Sequence, residues 1–195
     1  MSETERYALD ASVCINLAAT GRATEIFEAL NGEFFVTRVV VEELARGRGQ
    51  GRSAADELAT WLHLGAVAEQ DLLPESEETF LSLVGGPAAV TIDDGEAATI
   101  AWAITNDAAI VTDDRKAVQI AKARFPMLTI LSTTDLLLHG RCHNAFGSAA
   151  VVDCIESALL KAFMRVPANH LDQVVQLLGP DRARRCRSLP SAVRC

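Results

Sequence analysis

Two periodicities of hydrophobic residues alternate along the first two thirds of the chain. Short apolar runs, which are typical of buried strands, occur at residues 6–9, 33–36, 67–73, 108–112 and 128–131. Between them, apolar residues recur every three or four positions, which is typical of amphipathic helices. Strands that alternate with helices in this way predict a parallel sheet with helices packed on its faces. We therefore expect an α/β fold, a three-layer sandwich with a central, mainly parallel sheet.

Local signals place some of the connections between these elements. Thr37 is a good N-cap residue for a helix over residues 38–46. The glycine-rich stretch 47–51 predicts a flexible loop. An amphipathic helix is predicted to follow this loop over residues 52–64.

The pattern changes after about residue 139, where strands give way to two predicted helices over residues 148–165 and 168–178. We therefore divide the chain into an α/β body, residues 1–139, and an all-helical extension, residues 140–195. The extension could pack on the body, form a dimer interface or dock a partner protein. Its last segment, residues 181–195, holds five arginines against one acidic residue. Such a tail is either a solvated or disordered end or an RNA-binding segment.

Composition excludes several classes of protein. Hydrophobic residues make up 49% of the 195 residues, which supports a proper core. No apolar run reaches the roughly 18 residues that a membrane span needs. Residues 1–6 are polar and lack the apolar stretch of a secretory signal, so we expect a cytoplasmic protein without a membrane segment. The five cysteines are widely spaced and include no Cys-x-x-Cys pair, so neither a disulfide framework nor a zinc site is indicated.

The net charge of −8 counts modestly against a nucleic-acid-binding protein. Such proteins are usually basic, because neutralisation of phosphate dominates their affinity. An acidic protein can still act on nucleic acid if cations occupy an acidic pocket and basic residues surround it. It could also rely on a basic partner.

Acidic residues recur where the predicted strands end. Asp10 follows the first strand, and Asp113 and Asp114 follow the strand over residues 108–112. Glu43 lies on the helix after the second strand, and Glu96 lies in the first turn of a later helix. Ligands of open α/β sheets bind at the carboxyl ends of the strands, so we expect these acids to lie near one edge of the sheet.

Carboxylates gathered in this way favour a divalent cation. Each pair at about 4 Å repels by about 1 kcal/mol in water and by more when partly desolvated, and a cation removes that penalty. Oxygen ligands without nearby histidine or cysteine favour Mg²⁺ or Mn²⁺ over zinc. Such ions can activate water for hydrolysis of a phosphodiester.

Each acid also has a purely structural interpretation. Asp10 and Asp113 could cap the helices that follow them, and Glu43 could be a solvated helix residue. Asp93 and Glu96 have the spacing of a capping box. The recurrence of acids at one edge of a parallel sheet is what favours a functional site.

Four segments carry a resemblance to a known family. They are Asp10-Ala11-Ser12 with Ile15-Asn16-Leu17, residues 37–44 ending in Glu42-Glu43-Leu44, residues 93–101 and residues 109–117. In this order they resemble the motifs of the PIN-domain family, metal-dependent nucleases that include the toxin ribonucleases of bacterial toxin–antitoxin pairs. The matches cover residues 6 to about 139. The resemblance implies a PIN-like fold for the body and has no counterpart for the extension.

The resemblance also implies roles for individual residues. The catalytic, metal-binding acids would be Asp10, Glu43, Glu96 and Asp114, with Mg²⁺ or Mn²⁺ as the ion. Asp113 is adjacent to Asp114, and which of the two faces the metal stays open. Glu43 is preferred over Glu42 because the family's acid usually precedes an apolar residue. The polar residues that would support these ligands or face the substrate are Ser12, Asn16 and Thr112.

The implied function is hydrolysis of RNA by a divalent-metal-dependent endoribonuclease. The resemblance leaves room for a toxin role, an antitoxin partner and a homo-oligomer. The third acid is Glu96, where many of the toxins have aspartate, and this form of the motif resembles a different PIN branch more closely. The alternative is a non-catalytic PIN-like binding module that acts through its helical extension. A phosphatase of the haloacid-dehalogenase type fits poorly, because it needs Asp-x-Asp where this chain has Asp10-x-Ser12.

Overall fold

The computed structural model describes residues 4–47 and 50–194, without the side chains of residues 50–52. Its sheet has five parallel strands in the order β3-β2-β1-β4-β5. In chain order the strands are β1 Arg6–Leu9, β2 Glu33–Thr37, β3 Ala68–Gln70, β4 Ala109–Val111 and β5 Ile130–Leu131. In the central register Tyr7 pairs with Phe34 on one side and with Ala109 on the other. The predicted parallel α/β sheet is confirmed, and β1 is its central strand.

Ten α-helices surround the sheet in the described part of the chain. They are α1 Ala11–Thr20, α2 Ala23–Leu30, α3 Arg38–Arg46, α4 Gln50–His63, α5 Pro74–Val84, α6 Asp94–Thr105, α7 Arg115–Arg124, α8 Thr133–Leu137, α9 Gly140–Lys161 and α10 Leu171–Arg185. Short 3₁₀ turns lie at Ala168–His170 and Ser191–Val193. None of these helices is long and apolar enough to cross a membrane.

Capping residues set several of the helix ends. The hydroxyl of Thr37 accepts a hydrogen bond from the backbone N–H of Val40 (3.4 Å), as predicted for the start of α3. Of the loop predicted over residues 47–51, residues 48 and 49 lie outside the described residues. The prediction is wrong at residues 50 and 51, because α4 already begins at Gln50. A helix N-terminus of this kind is weakly specified by sequence, because tertiary packing can override the low helix propensity of glycine.

The sheet separates two hydrophobic cores. Alternate residues of a strand point to opposite faces, so Leu9 and Val111 belong to one core while Ala8 and Ile110 belong to the other. The first core contains α1–α4 and α8–α10, whereas the second is built on α5–α7. This arrangement is the predicted three-layer sandwich.

The helical extension packs on the body. Ile155 and Leu159 of α9 are fully buried in the same core as Leu17 of α1. Helix α9 contacts α1, α2 and α8, and α10 packs on α9. Gly147 and Gly179 adopt non-helical conformations with positive φ angles of 82° and 69°, so α9 and α10 each consist of two helical segments that meet at a kink. Glycine followed by proline at positions 179 and 180 is a helix-stop signal in the sequence. The break lies at this position, and a further helical segment then runs to Arg185.

Several arginines of the last segment form ion pairs within the extension. Arg182 lies 2.5 Å from Asp153 and 3.1 Å from Glu156, and Arg185 lies 2.7 Å from Glu156. Their acidic partners are on α9, so these pairs join the two long helices of the extension. These two arginines are therefore occupied by local carboxylates.

The shared core predicts that body and extension unfold together. Ile155→Ala should lower the free energy of unfolding by about 2–5 kcal/mol, because it leaves a cavity in that core. Urea denaturation followed by circular dichroism measures this change. Leu160→Ala, on the same helix but 40% exposed, is the matched control and should change stability by less than about 1 kcal/mol. A separate early transition of the extension, with the body unaffected, would contradict the prediction.

Candidate metal centre

Asp10 lies at the carboxyl end of the central strand. Its backbone N–H donates to the carbonyl of Val111 (3.1 Å), which ties it to β4. The side chain is only 3% exposed, and its Oδ2 accepts hydrogen bonds from Ser12 (2.7 Å) and Thr112 (3.0 Å). Asp10 occupies the N-cap position of α1, but the structure shows no capping hydrogen bond from its side chain. Helix capping therefore does not account for this carboxylate.

Burial dominates the electrostatics of Asp10. It raises the pKa of the carboxyl group, because the charged form is poorly solvated, whereas the hydrogen bonds from Ser12 and Thr112 act in the opposite direction. Asp93 adds repulsion that raises the pKa further. A positive charge nearby would therefore stabilise the ionised form of Asp10.

Glu43 reaches the site from α3 and lies against the first turn of α6. The contact is made at Gly95, where an added Cβ would overlap Oε2 of Glu43 and lie 3.4 Å from its Cδ. A side chain at position 95 would therefore displace the Glu43 carboxylate, so this close contact, and not an unusual backbone conformation, calls for glycine. Glu42 points elsewhere and pairs with Arg46 at 3.9 Å. The requirement for glycine could not be read from the sequence, because Glu43 and Gly95 are distant in the chain.

Glu96 extends into the site from the first turn of α6. The side chain of Asp93 caps this helix by accepting a hydrogen bond from the backbone N–H of Glu96 (3.0 Å). Of the suggested capping box, the described contacts include only this half. The carboxylate of Glu96 lines the cavity instead.

Asp113 is held by a set of donors from other elements. Its Oδ2 accepts from Asn16 (2.6 Å) and from the hydroxyl of Thr133 (2.5 Å), and its Oδ1 accepts from the backbone N–H of Thr133 (3.0 Å). Thr133 is fully buried and was not singled out from the sequence. These bonds fasten the end of β4 to α1 and α8.

Asp114 has the capping role that the sequence offered for Asp113. Its Oδ1 accepts hydrogen bonds from the backbone N–H groups of Lys116 (2.7 Å) and Ala117 (2.9 Å) at the start of α7. Among the described contacts, its Oδ2 has no hydrogen-bond donor. One oxygen of Asp114 is therefore available to a ligand in the cavity, whereas both oxygens of Asp113 are engaged.

All five acids predicted from the sequence line one cavity of about 350 Å³. It lies above the carboxyl ends of β1 and β4. Ser12 and Asn16 also line it, while Thr112 contributes through its bond to Asp10. The cavity lining comprises Asp10, Ala11, Ser12, Ile15, Asn16, Glu43, Asp93, Glu96, Asp113, Asp114 and residues 162–165 of the extension. The contribution of the extension was not anticipated from the sequence.

The acids of this cavity raise one another's pKa values. For Glu96, burial and then repulsion by Asp93, Asp10 and Asp114 raise the pKa to about 8. For Glu43, burial and then Asp93 and Asp10 raise the pKa to about 7. Both groups therefore retain their protons to a higher pH than an ordinary glutamate when no cation is bound.

The donor chemistry of the cavity suits a hard cation, because its acidic groups offer only oxygen ligands. In residues 4–47 and 50–194, however, no group of three His, Cys, Asp or Glu side chains is already arranged to hold a metal ion. Binding of an ion therefore requires the carboxylates to rotate toward a common point.

Comparison with protein families decides which fold family this is. A family model described as a PIN domain (DUF3368) matches residues 6–180. The chain belongs to this PIN-domain family. The family predicted from the four motifs is thereby confirmed. PIN domains are generally nucleases and typically use divalent metals. The comparisons with curated proteins and with solved structures gave no significant match.

The raised pKa values predict how the stability of the metal-free PIN domain depends on pH. For an acid whose pKa is raised by folding, the stabilising contribution is present below the unfolded pKa and is lost as pH rises through the folded pKa. In EDTA, the melting temperature should therefore fall between pH 4.5 and 8, the ordinary and raised values for Glu96.

Glu96→Gln should flatten this dependence, because the amide cannot ionise. Differential scanning calorimetry across the pH range measures the slope. Glu57→Gln, at an exposed position on α4, is the control and should leave the slope unchanged. An equal slope for Glu96→Gln and wild type would show that repulsion at Glu96 is absent.

Proposed function

We propose that this PIN-domain protein is a divalent-metal-dependent endoribonuclease that hydrolyses phosphodiester bonds in RNA. One observation carries the proposal: carboxylates from four separate segments of a PIN domain line a single cavity at the carboxyl edge of the sheet. Asp10, Glu43, Glu96 and Asp114 would hold Mg²⁺ or Mn²⁺. The bound ion would supply the positive charge that makes water a better nucleophile and offsets the charge of the phosphate.

The residues of the chain have distinct tasks in this proposal. Ser12 and Thr112 orient Asp10 by donating hydrogen bonds to its Oδ2. Asp114 is preferred over Asp113 as a ligand, because Asp113 is engaged by Asn16 and Thr133. We assign Asp113 a positioning role at the junction of β4, α1 and α8.

Proton exchange at the glutamates should accompany metal binding. The pKa values of Glu43 and Glu96 are raised in the metal-free cavity, so ligation through their oxygens should release the protons that they retain. Apparent metal affinity should consequently increase as pH rises toward 8. This behaviour follows first from the burial of the two glutamates and then from repulsion by the neighbouring acids.

The second candidate is a PIN-like module that binds RNA without cutting it. It is favoured by the absence, in the described residues, of three carboxylates already placed to hold an ion. The two candidates share the fold and the cavity. They differ in whether an added metal ion produces cleavage.

A cleavage assay separates the candidates. Labelled single-stranded RNA and DNA are incubated with the protein in Mg²⁺, Mn²⁺ or EDTA. Wild type should cut RNA with metal and not in EDTA, and Asp10→Asn should reduce the rate at least about a hundredfold, because it removes a buried ligand charge. Asp56→Asn, an exposed change on α4, should cut normally. RNA binding without cleavage in either metal would establish the binding module instead.

Gly95→Ala tests the close approach of Glu43. The added methyl group overlaps the Glu43 carboxylate and should weaken Mn²⁺ binding by about 10–100-fold. Stability should be retained, because alanine is the better helix former. Gly140→Ala, where a Cβ meets nothing within 4 Å, is the matched control. Isothermal titration with Mn²⁺ measures both variants, and unchanged affinity in Gly95→Ala would remove Glu43 from the site.

A toxin role is the finer form of this proposal. It rests on the resemblance to the PIN-domain family, which includes the toxin ribonucleases, although the motif around Glu96 is closer to another branch. Induced expression of wild type in a bacterial host should arrest growth, whereas Asp10→Asn at equal protein levels should not. Viable-cell counts after induction measure the difference. Equal growth of the two strains would leave a ribonuclease without toxin activity.

A further inference from the structure

A second cavity of about 410 Å³ adjoins the acidic one. It lies between α7, the start of α8 and residues 165–169 of the extension. Asp113 and Arg165 line both cavities. The two spaces therefore lie side by side at the edge of the sheet, with these two residues in the wall of each, and we refer to them together as the groove. We call the second space the basic cavity.

Three cations line the basic cavity: Arg115, Lys122 and Arg165. All three are exposed, and none forms an ion pair with a carboxylate in the part of the chain that the structure describes. Other arginines behave differently; Arg38, for example, lies 3.1 Å from Glu69 and 3.0 Å from Asp71. The cations of the basic cavity are thus available to an external anion.

The two acids that line the basic cavity are bonded inward. Asp113 accepts from Asn16 and Thr133, as described above. Asp135 accepts from the backbone N–H of Ser132 (2.8 Å) and lies 2.6 Å from Nε2 of His170. These partners hold the carboxylates toward the protein, so the cations face the groove. A local positive surface therefore lies beside the acidic cavity in a protein whose net charge is −8.

Phe163 lines the acidic cavity close to Arg165. It follows the end of α9 with a φ angle of 54°, a left-handed conformation in which a bulky residue is strained by about 1–3 kcal/mol. Glycine is the usual residue at this position after a helix. The Phe163 side chain is nevertheless 56% exposed, while the adjacent Met164 is buried and anchors the turn. The phenyl ring is therefore displayed toward the groove at a cost in stability.

We propose that the groove binds single-stranded RNA alongside the candidate metal centre. Arg115, Lys122 and Arg165 contact phosphates, and Phe163 stacks on a base next to the acidic cavity. An unpaired base is required for stacking on an aromatic side chain, so the groove selects single strands over duplexes. This inference rests on the proposed ribonuclease function and assigns the extension a task in it: Phe163 and Arg165 complete the substrate site.

RNA binding is measured by fluorescence anisotropy of a labelled single-stranded oligonucleotide with the full-length Asp10→Asn protein in EDTA, so that cleavage does not interfere. Lys122→Ala and Arg165→Ala should each weaken binding and reduce the slope of log K against log salt concentration by about 0.7, the value for one phosphate contact on a single strand. Arg187→Ala, an exposed change in the last segment, should leave the slope unchanged.

Substitutions of Phe163 should affect RNA affinity but not its dependence on salt concentration. Phe163→Ala should weaken binding about tenfold without altering the salt slope, because stacking is not a phosphate contact. Phe163→Trp should restore affinity, since a larger ring also stacks. Both variants keep a side chain at the strained φ, so their stability should be similar.

The results distinguish this inference from the proposed catalysis. Weaker binding by the groove variants, in a wild-type protein that does not cut RNA, would support the groove and overturn the ribonuclease. Cleavage by wild type, together with unchanged affinity and salt slope in Arg165→Ala and Lys122→Ala, would overturn the groove. Equal affinity for duplex and single-stranded RNA would also overturn it.

Discussion

The burial of the Asp10 carboxylate at the end of the central strand is the constraint on which the rest of the site depends. A buried charge is costly unless it is hydrogen-bonded or paired. Ser12 and Thr112 supply hydrogen bonds to one oxygen, and the backbone of Asp10 is tied to Val111. The neighbouring acids add repulsion that these bonds do not remove. The cavity therefore stores an electrostatic cost that a cation would relieve.

The acids that repel one another come from several separate elements of the fold. Acids adjacent in one helix could separate by fraying, whereas α1, α3, α6 and α7 are fixed by the sheet and by two packed cores. Two departures from local rules lie beside this arrangement. Gly95 gives up helix propensity so that Glu43 can approach, and Phe163 adopts a strained backbone beside the cavity. Deviations of this kind are expected at functional sites.

The helical extension contributes side chains to the two cavities and also packs on the body. Helix α9 packs on α1, the helix that begins directly after Asp10, so the two parts share one hydrophobic core. The turn that follows α9 brings Phe163 and Arg165 to the groove. An overall acidic chain can thereby place positive charge beside its carboxylates, because the charge that a ligand experiences depends on nearby groups within about 10 Å. The unfavourable net charge is thus offset locally.

The sequence by itself predicted the alternation of strands and helices and the parallel sheet, because hydrophobic periodicity is a local property of the chain. The PIN family was indicated by the resemblance of four motifs, and the family model confirms it. The sequence also placed Asp10 at the edge of the sheet, since parallel strands bring their carboxyl ends together. It left the choice between Asp113 and Asp114 open, because their hydrogen-bond partners come from α1, α7 and α8.

Only the tertiary structure decided the contact between Glu43 and Gly95 and the return of residues 162–165 to the acidic cavity. These contacts join segments that are far apart in sequence, and their geometry depends on how whole helices pack. No local pattern encodes that packing.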